Sequence, residues 1–133
     1  MSQYSAIIRE MKQRYAIRIH RWRRAMTGCS WRVSFSDGRS INWIEAPYPK
    51  TPISLSIFLH EVGHHVIGFD RYHQRCEEEY HVWLWALGKM EDLGTPPTPA
   101  VLQRFERSMH YVVGMDVRRG HKNLPEALRR FAH

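Results

Sequence analysis

Apolar residues recur along the chain with two different periods, and the changes of period mark its elements. Tyr4, Ile8, Met11, Tyr15, Ile19, Trp22 and Met26 follow one another at steps of three and four, the spacing of one face of a helix. This predicts a single long amino-terminal helix over residues 4–26, with arginines on its other faces and Gly28 as its stop. Its stripe holds two Tyr and a Trp, too much apolar surface for a free arm, so it should pack on the rest of the chain. The period then shortens to two. Trp31, Val33 and Phe35 alternate with Arg32 and Ser34, and Ile41 and Trp43 resume beyond Asp37-Gly38, which predicts a β-hairpin closed by a type I′ turn.

Pro47, Pro49 and Pro52 end the hairpin and open a helix over 52–67, with Thr51 as its N-cap, Pro52 in its first turn and Gly68 as its stop. A further helix is expected over 74–93, then a stiff connector through Gly94 and Pro96 to Pro99. A fourth helix should cover 99–113 and a short one 125–131. The order helix, hairpin, helix, helix, helix reads as α+β. A chain of 133 residues suits one domain, spanning 1–133.

Composition narrows the class. With 43% hydrophobic and 12% aromatic residues the chain can bury a core, which excludes a disordered protein. No apolar run reaches the roughly 18 residues that span a bilayer, and the start lacks a cationic-then-apolar leader. No membrane association is expected, and Cys29 and Cys76 read as reduced thiols of a cytoplasmic protein. The net charge of +7 is concentrated at the two ends, around a mildly acidic middle. Basic ends can meet nucleic acid or an acidic partner, but no nucleic-acid-binding motif accompanies them, and a solvated helix face is the favoured explanation.

The chemistry is concentrated in His60-Glu61-Val62-Gly63-His64. Two His four residues apart on a helix project from one face about one turn apart and can hold one zinc ion through neutral imidazoles. Glu61 sits beside that ion, not on it, where its carboxylate can act as a general base toward water. Ile53, Leu55, Ile57, Phe58 and Leu59 precede the motif, so the helix is largely buried, and a buried acid without a partner is costly.

Zinc needs a third protein ligand, and Glu77-Glu78-Glu79 opens the next helix. One of these acids can face inward while the others complement the helix dipole. His65 points about 100° away from His64; His73 falls in a loop; Cys76 reads as a packed thiol. The metzincin pattern fails, because position 70 is Asp and the required Gly position is Ile67. Candidates for an oxyanion donor are Tyr72, His73, His110 and Tyr111.

The run Asp37 to Trp43, the motif Phe58 to His64, and Glu77 on an aromatic-rich helix resemble the ImmA/IrrE metallopeptidases over roughly residues 31–90. The resemblance implies a zincin-like fold, a zinc-dependent endopeptidase with His60, His64 and a helix-borne Glu as ligands, and a DNA-binding transcriptional repressor as the protein substrate. The chain departs from the family where Tyr80-His81 and Val82 to Ala86 replace the expected Ala-Asn or Ala-Asp and Phe-Ala. Glu77 is the favoured third ligand because it alone has a hydrogen-bonding residue four positions on, His81, which would orient a ligand imidazole; Glu78, Glu79 and His81 remain as alternatives. In a second reading, similar to the SprT-like proteases of DNA-bound proteins, His81 is the third ligand. A third reading is a zinc-stabilised regulatory module without hydrolytic activity.

Overall fold

The computed structural model describes residues 3–121 and 123–132. Its elements are α1 (Gln3–Arg14), β1 (Ile17–Arg23), β2 (Cys29–Ser34), β3 (Ser40–Pro47), α2 (Pro52–Ile67), α3 (Arg75–Asp92), α4 (Pro99–Arg118) and a 3-10 helix over Glu126–Phe131. The expected α+β layout holds, with several local corrections.

The largest concerns the amino terminus. The helix predicted over 4–26 stops at Arg14, and the second half of the stripe is strand β1. Ala16 ends the helix in the left-handed region (φ 52°), the one described non-glycine residue with positive φ, a conformation that costs an L-residue roughly 1–2 kcal/mol. Ile17 and Ile19 then alternate with Arg18, and a bulge at His20 restores the inward face at Trp22. Tyr15, Ile19 and Trp22 therefore satisfy a helical and a strand period at once. Pairing with β3, which lies far along the chain, decides for the strand. The predicted packing occurs as far as Trp22, since Ile7, Ile8, Met11 and Ile17 are buried and Tyr4, Tyr15, Ile19 and Trp22 lie against them, whereas Met26 at the end of the stripe is exposed.

The sheet is consequently mixed rather than antiparallel. Its order is β1-β3-β2, with β1 parallel and β2 antiparallel to the central β3. Gly28, expected as a helix stop, instead ends the connection that carries the chain across to the edge strand β2. The hairpin turn also differs from type I′. Gly38 N donates to Phe35 O (3.0 Å) and Phe35 N to Arg39 O (2.8 Å), while only Gly38 of the central pair has positive φ, at 91°. A three-residue loop with glycine in its last place meets both conditions. The remaining corrections lie at the carboxyl end, where α4 continues past Val113 to Arg118 and the last helix is a 3-10 helix.

Helix α2 forms where local signals place it. Thr51 caps it, accepting from Ser54 N (3.2 Å), while Ser54 Oγ accepts from Thr51 N (2.9 Å), and Gly68 closes it at φ 97°. Most of its circumference is buried, with Leu55, Phe58, Leu59 and Val62 in a core shared with α1, the sheet and the far half of α3. His65 Nε2 meets Trp43 O at 3.0 Å and ties the helix to β3. A second core joins the near half of α3 to α4 and the 3-10 helix through Cys76, Trp83, Phe105, Met109 and Phe131. Between α2 and α3 the helices approach closely at Gly63, where a Cβ would stand a tight 3.1 Å from Val82 Cγ1 and Trp85 Cε3. That approach brings the first turns of α3 alongside the histidines of α2.

Candidate metal centre

His60 and His64 project from α2 with ring centroids 4.9 Å apart and planes nearly perpendicular, at 88°. Their Nε2 atoms converge on one carboxylate of α3. Glu79 Oε2 lies 2.8 Å from His60 Nε2, and Glu79 Oε1 lies 3.1 Å from His64 Nε2. One donor atom from each of the three residues falls within 4.8 Å of the other two, so the group can hold a metal ion.

The acid brought to the histidines is thus Glu79, and the expectation of Glu77 is corrected. Two residues along a helix turn it by about 200°, so Glu77 and Glu79 lie on nearly opposite sides. The rotation of α3 is set by its buried face. Cys76 is enclosed in the second core, and its amide donates to the buried Asp116 carboxylate of α4 at 2.8 Å. Glu79, Trp83, Ala86 and Met90 continue that side inward, whereas Leu84, about two turns beyond Glu77 and on its side, is 43% exposed. Asp116 replaces the missing side-chain cap of Gln74 at the start of α3, which satisfies an orphan amide and complements the helix dipole.

His81 does not orient a ligand imidazole. It stacks on Tyr72 at 4.5 Å and 6°, which also leaves the SprT-like reading without its third histidine. The α3 acid beside an imidazole of the pair at its Nδ1 is Glu78, whose Oε2 stands 3.4 Å from His64 Nδ1. The alignment there is too poor for a hydrogen bond, and His64 Nδ1 is buried without a partner. Trp83 at 4.7 Å from His60 and Phe69 parallel to His64 at 6.2 Å supply an apolar surround. His65 points to the sheet, as expected from its place on the helix. Burial and the Asp116 carboxylate push the Cys76 thiol up to about 12, so it is held neutral in the core and is no ligand.

Glu61 is buried beside the pair, with Oε2 3.3 Å from His60 Nδ1. The backbone of Gly28 covers it so closely that a Cβ there would fall 2.6 Å from Glu61 Oε2. Burial works against charge on His60, but the carboxylates of Glu61 and Glu79 outweigh it and push His60 up to about 9. Burial likewise opposes ionisation of Glu79, and the two imidazoles outweigh it and hold the acid well below the usual carboxylate range. At Glu78 burial prevails and the shift is upward. Three carboxylates around two imidazoles leave an excess of negative charge, a donor set suited to a divalent cation.

A cavity of about 330 Å³ opens on these groups, bounded on one side by Gly28, Cys29 and Ser30. Among the described residues β2 pairs only with β3, so its other edge is unpaired beside this cavity. An adjoining cleft of about 630 Å³ shares Gly28, His60 and Glu79 with it and extends to Arg75, Arg104, Arg107 and Tyr111. Of the four oxyanion candidates Tyr111 alone lines that cleft; Tyr72 is stacked on His81, His73 faces His121, and His110 packs on Phe131. The sequence pattern left Glu79 only as an alternative to Glu77 and gave no sign of a site role for Gly28, Asp116 or the arginines. For Glu79 a signal existed, since Cys76, Glu79 and Trp83 have the spacing of one helix face. No helix among the described residues is long and apolar enough to cross a membrane. No protein-family model, curated protein or solved structure matches this chain.

Proposed function

We propose that the protein is a zinc-dependent endopeptidase acting on a protein partner, with His60, His64 and Glu79 as metal ligands and Glu61 as general base. The observation that carries this is the convergence of two Nε2 atoms and one carboxylate within 4.8 Å on a cavity that Glu61 also lines. Two His and one Glu leave the fourth position of a tetrahedral site open, the arrangement of catalytic rather than structural zinc. When bound, zinc supplies Lewis acidity that polarises a carbonyl and acidifies water.

The chain's own residues do the rest. Glu61 takes the proton of the attacking water and returns it to the leaving amine. The apolar surround of Trp83 and Phe69 lowers the local polarity, which strengthens each charge interaction at the centre. The free edge of β2 can pair with an extended substrate chain and lay its backbone past Gly28 to the cavity. The ImmA/IrrE resemblance points to a DNA-binding repressor as that substrate. Two unpaired cysteines agree with a reducing compartment, the cytoplasm. Nucleic acid contact through the basic ends is not favoured.

Turnover of a fluorescence-quenched peptide library by the zinc-loaded protein tests this, with metal content measured on the same samples. Glu61→Gln should keep its zinc and lose about 10²–10⁴ of the rate. Equal rates for Glu61→Gln and wild type would remove the proposal. A wild type that binds zinc, cleaves nothing and unfolds on chelation would instead be a metal-stabilised regulatory module.

A further inference from the structure

The cleft beside the metal centre is unusual in its charge. Arg104 and Arg107 stand one turn apart on α4 and face the same space as Arg75 at the start of α3. Among the described residues neither Arg104 nor Arg107 has an acid within ion-pair distance, and Arg75 reaches only Glu79, at 4.0 Å. Arg104 spends one donor on Met26 O at 2.6 Å, which leaves most of its planar fork free. Partial burial and the neighbouring Arg107 both weigh against its charge. Like charges gathered without a counter-ion at the wall of a cleft are unfavourable unless an anion joins them. The acids nearby are already engaged, because Glu79 is held by two imidazoles and Glu61 by His60.

Gly28 lines both the metal cavity and this cleft. A chain paired with the free edge of β2 therefore passes from one to the other, and alternate side chains of an extended chain point to the same side. We infer that Arg75, Arg104 and Arg107 form a carboxylate-binding subsite that selects polypeptides carrying an acidic group next to the bond presented to the metal centre. Guanidinium forks match a planar carboxylate with two parallel hydrogen bonds, and such charge-assisted bonds are about twice as strong as neutral ones. Ser108 and Tyr111 on the same wall offer hydroxyl donors to the same group. The inference rests on the peptidase proposal for its substrate, but its test reads binding.

The probes are fluorescein-labelled twelve-residue peptides, one with Glu at alternate positions and its counterpart with Gln, each with a free or an amidated carboxyl terminus. Fluorescence anisotropy with the full-length Glu61→Gln protein, with zinc and with chelator, measures affinity without cleavage. The Glu peptide should bind about tenfold more tightly than the Gln peptide, the difference of one charge-assisted contact. Arg107→Gln should bring the ratio to within about twofold, and Arg107→Glu should invert it. Arg104→Lys keeps the charge and should retain part of the preference, a control for any disturbance of the Met26 contact. A preference confined to free-terminus peptides would assign the site to a terminal carboxylate, and one independent of the terminus to an acidic side chain. Equal binding of Glu and Gln peptides, an unchanged ratio in Arg107→Glu, or tight binding of an oligothymidylate with none of the Glu peptide would overturn the inference. Arginine-dependent binding without turnover by wild type would leave the subsite standing and remove the peptidase proposal. Turnover indifferent to acidic residues would do the reverse.

Discussion

The two walls of the central cleft carry opposite charge and treat it in opposite ways. On the α2–α3 wall, Glu61, Glu78 and Glu79 are packed around His60 and His64, and each acid lies within 3.4 Å of an imidazole nitrogen. On the α4 wall, Arg104 and Arg107 have no acidic partner among the described residues. Buried charge is tolerated on the first wall because it is mutually compensated, and the excess of carboxylates suits a cation. Unpaired charge on the second is relieved by water only in part, because burial and the neighbouring Arg107 both weigh against the charge of Arg104. The lesson is that the first wall is organised from within the protein, whereas the second awaits a charge from outside.

Removing an acid tests the first wall hardest. Glu79→Gln should weaken zinc binding by more than the roughly 10–100-fold typical of a lost outer neighbour. Glu78→Gln should fall within that range, and Glu77→Gln should change little. Competition against a zinc-responsive dye gives all three affinities. If Glu77→Gln proves the damaging change, the rotation of α3 described above is wrong.

Protons compete with the metal for the same wall. His60 must lose its proton to bind, and its value, pushed up to about 9, lies above the ordinary 6.5 of an imidazole. Zinc affinity should therefore rise about tenfold per pH unit through the neutral range and level off near pH 9. The metal-free fold behaves in the opposite sense. A raised His60 stabilises it fully below pH 6.5 and loses that contribution as pH climbs through about 9. A lowered Glu79 stabilises it above its ordinary value near 4.5 and loses that contribution only as pH falls further. Thermal unfolding of the apo protein should thus be least sensitive to pH between those ordinary values, and an apo midpoint that rises steadily from pH 6.5 to 9 would contradict the pairing.

Gly28 lies on the seam between the walls. Gly28→Ala forces a Cβ to within 2.6 Å of Glu61 Oε2, so overpacking should cost about 1–3 kcal/mol. Glu61 moves with it, and denaturant melts together with peptide turnover would show a larger loss of rate than of stability. The smallest effect belongs to the second wall. Arg107→Gln relieves a like-charge neighbour three residues from Arg104 and should raise stability by about 0.2–0.5 kcal/mol. A loss of stability there would mean that Arg107 already has an internal partner.

What the chain determined by itself is confined to short-range physics. Thr51, Pro52 and Gly68 set both ends of α2 through a cap, a restricted φ and a positive φ, and the four-residue spacing of His60 and His64 follows from the helical pitch wherever that helix lies. Asp37 and Gly38 likewise placed the hairpin, although the turn type depended on pairing outside it. Tertiary structure decided what local pattern left degenerate. Residues 15–23 meet a helical and a strand period equally well, and only the parallel pairing with β3 selects the strand. Helix α3 is apolar over much of its circumference, so the one-face spacing of Cys76, Glu79 and Trp83 competes with other stripes and does not by itself choose the inward glutamate. Asp116, forty residues beyond Cys76, settles that rotation by holding its amide, and so Glu79 rather than Glu77 meets the histidines. The arginine wall has the same origin, since Arg75 and Arg104 come from separate helices and meet Gly28 only when both cores have formed. Local signals act over one turn of helix, whereas a site assembled from three elements is specified by contacts that exist only in the folded chain.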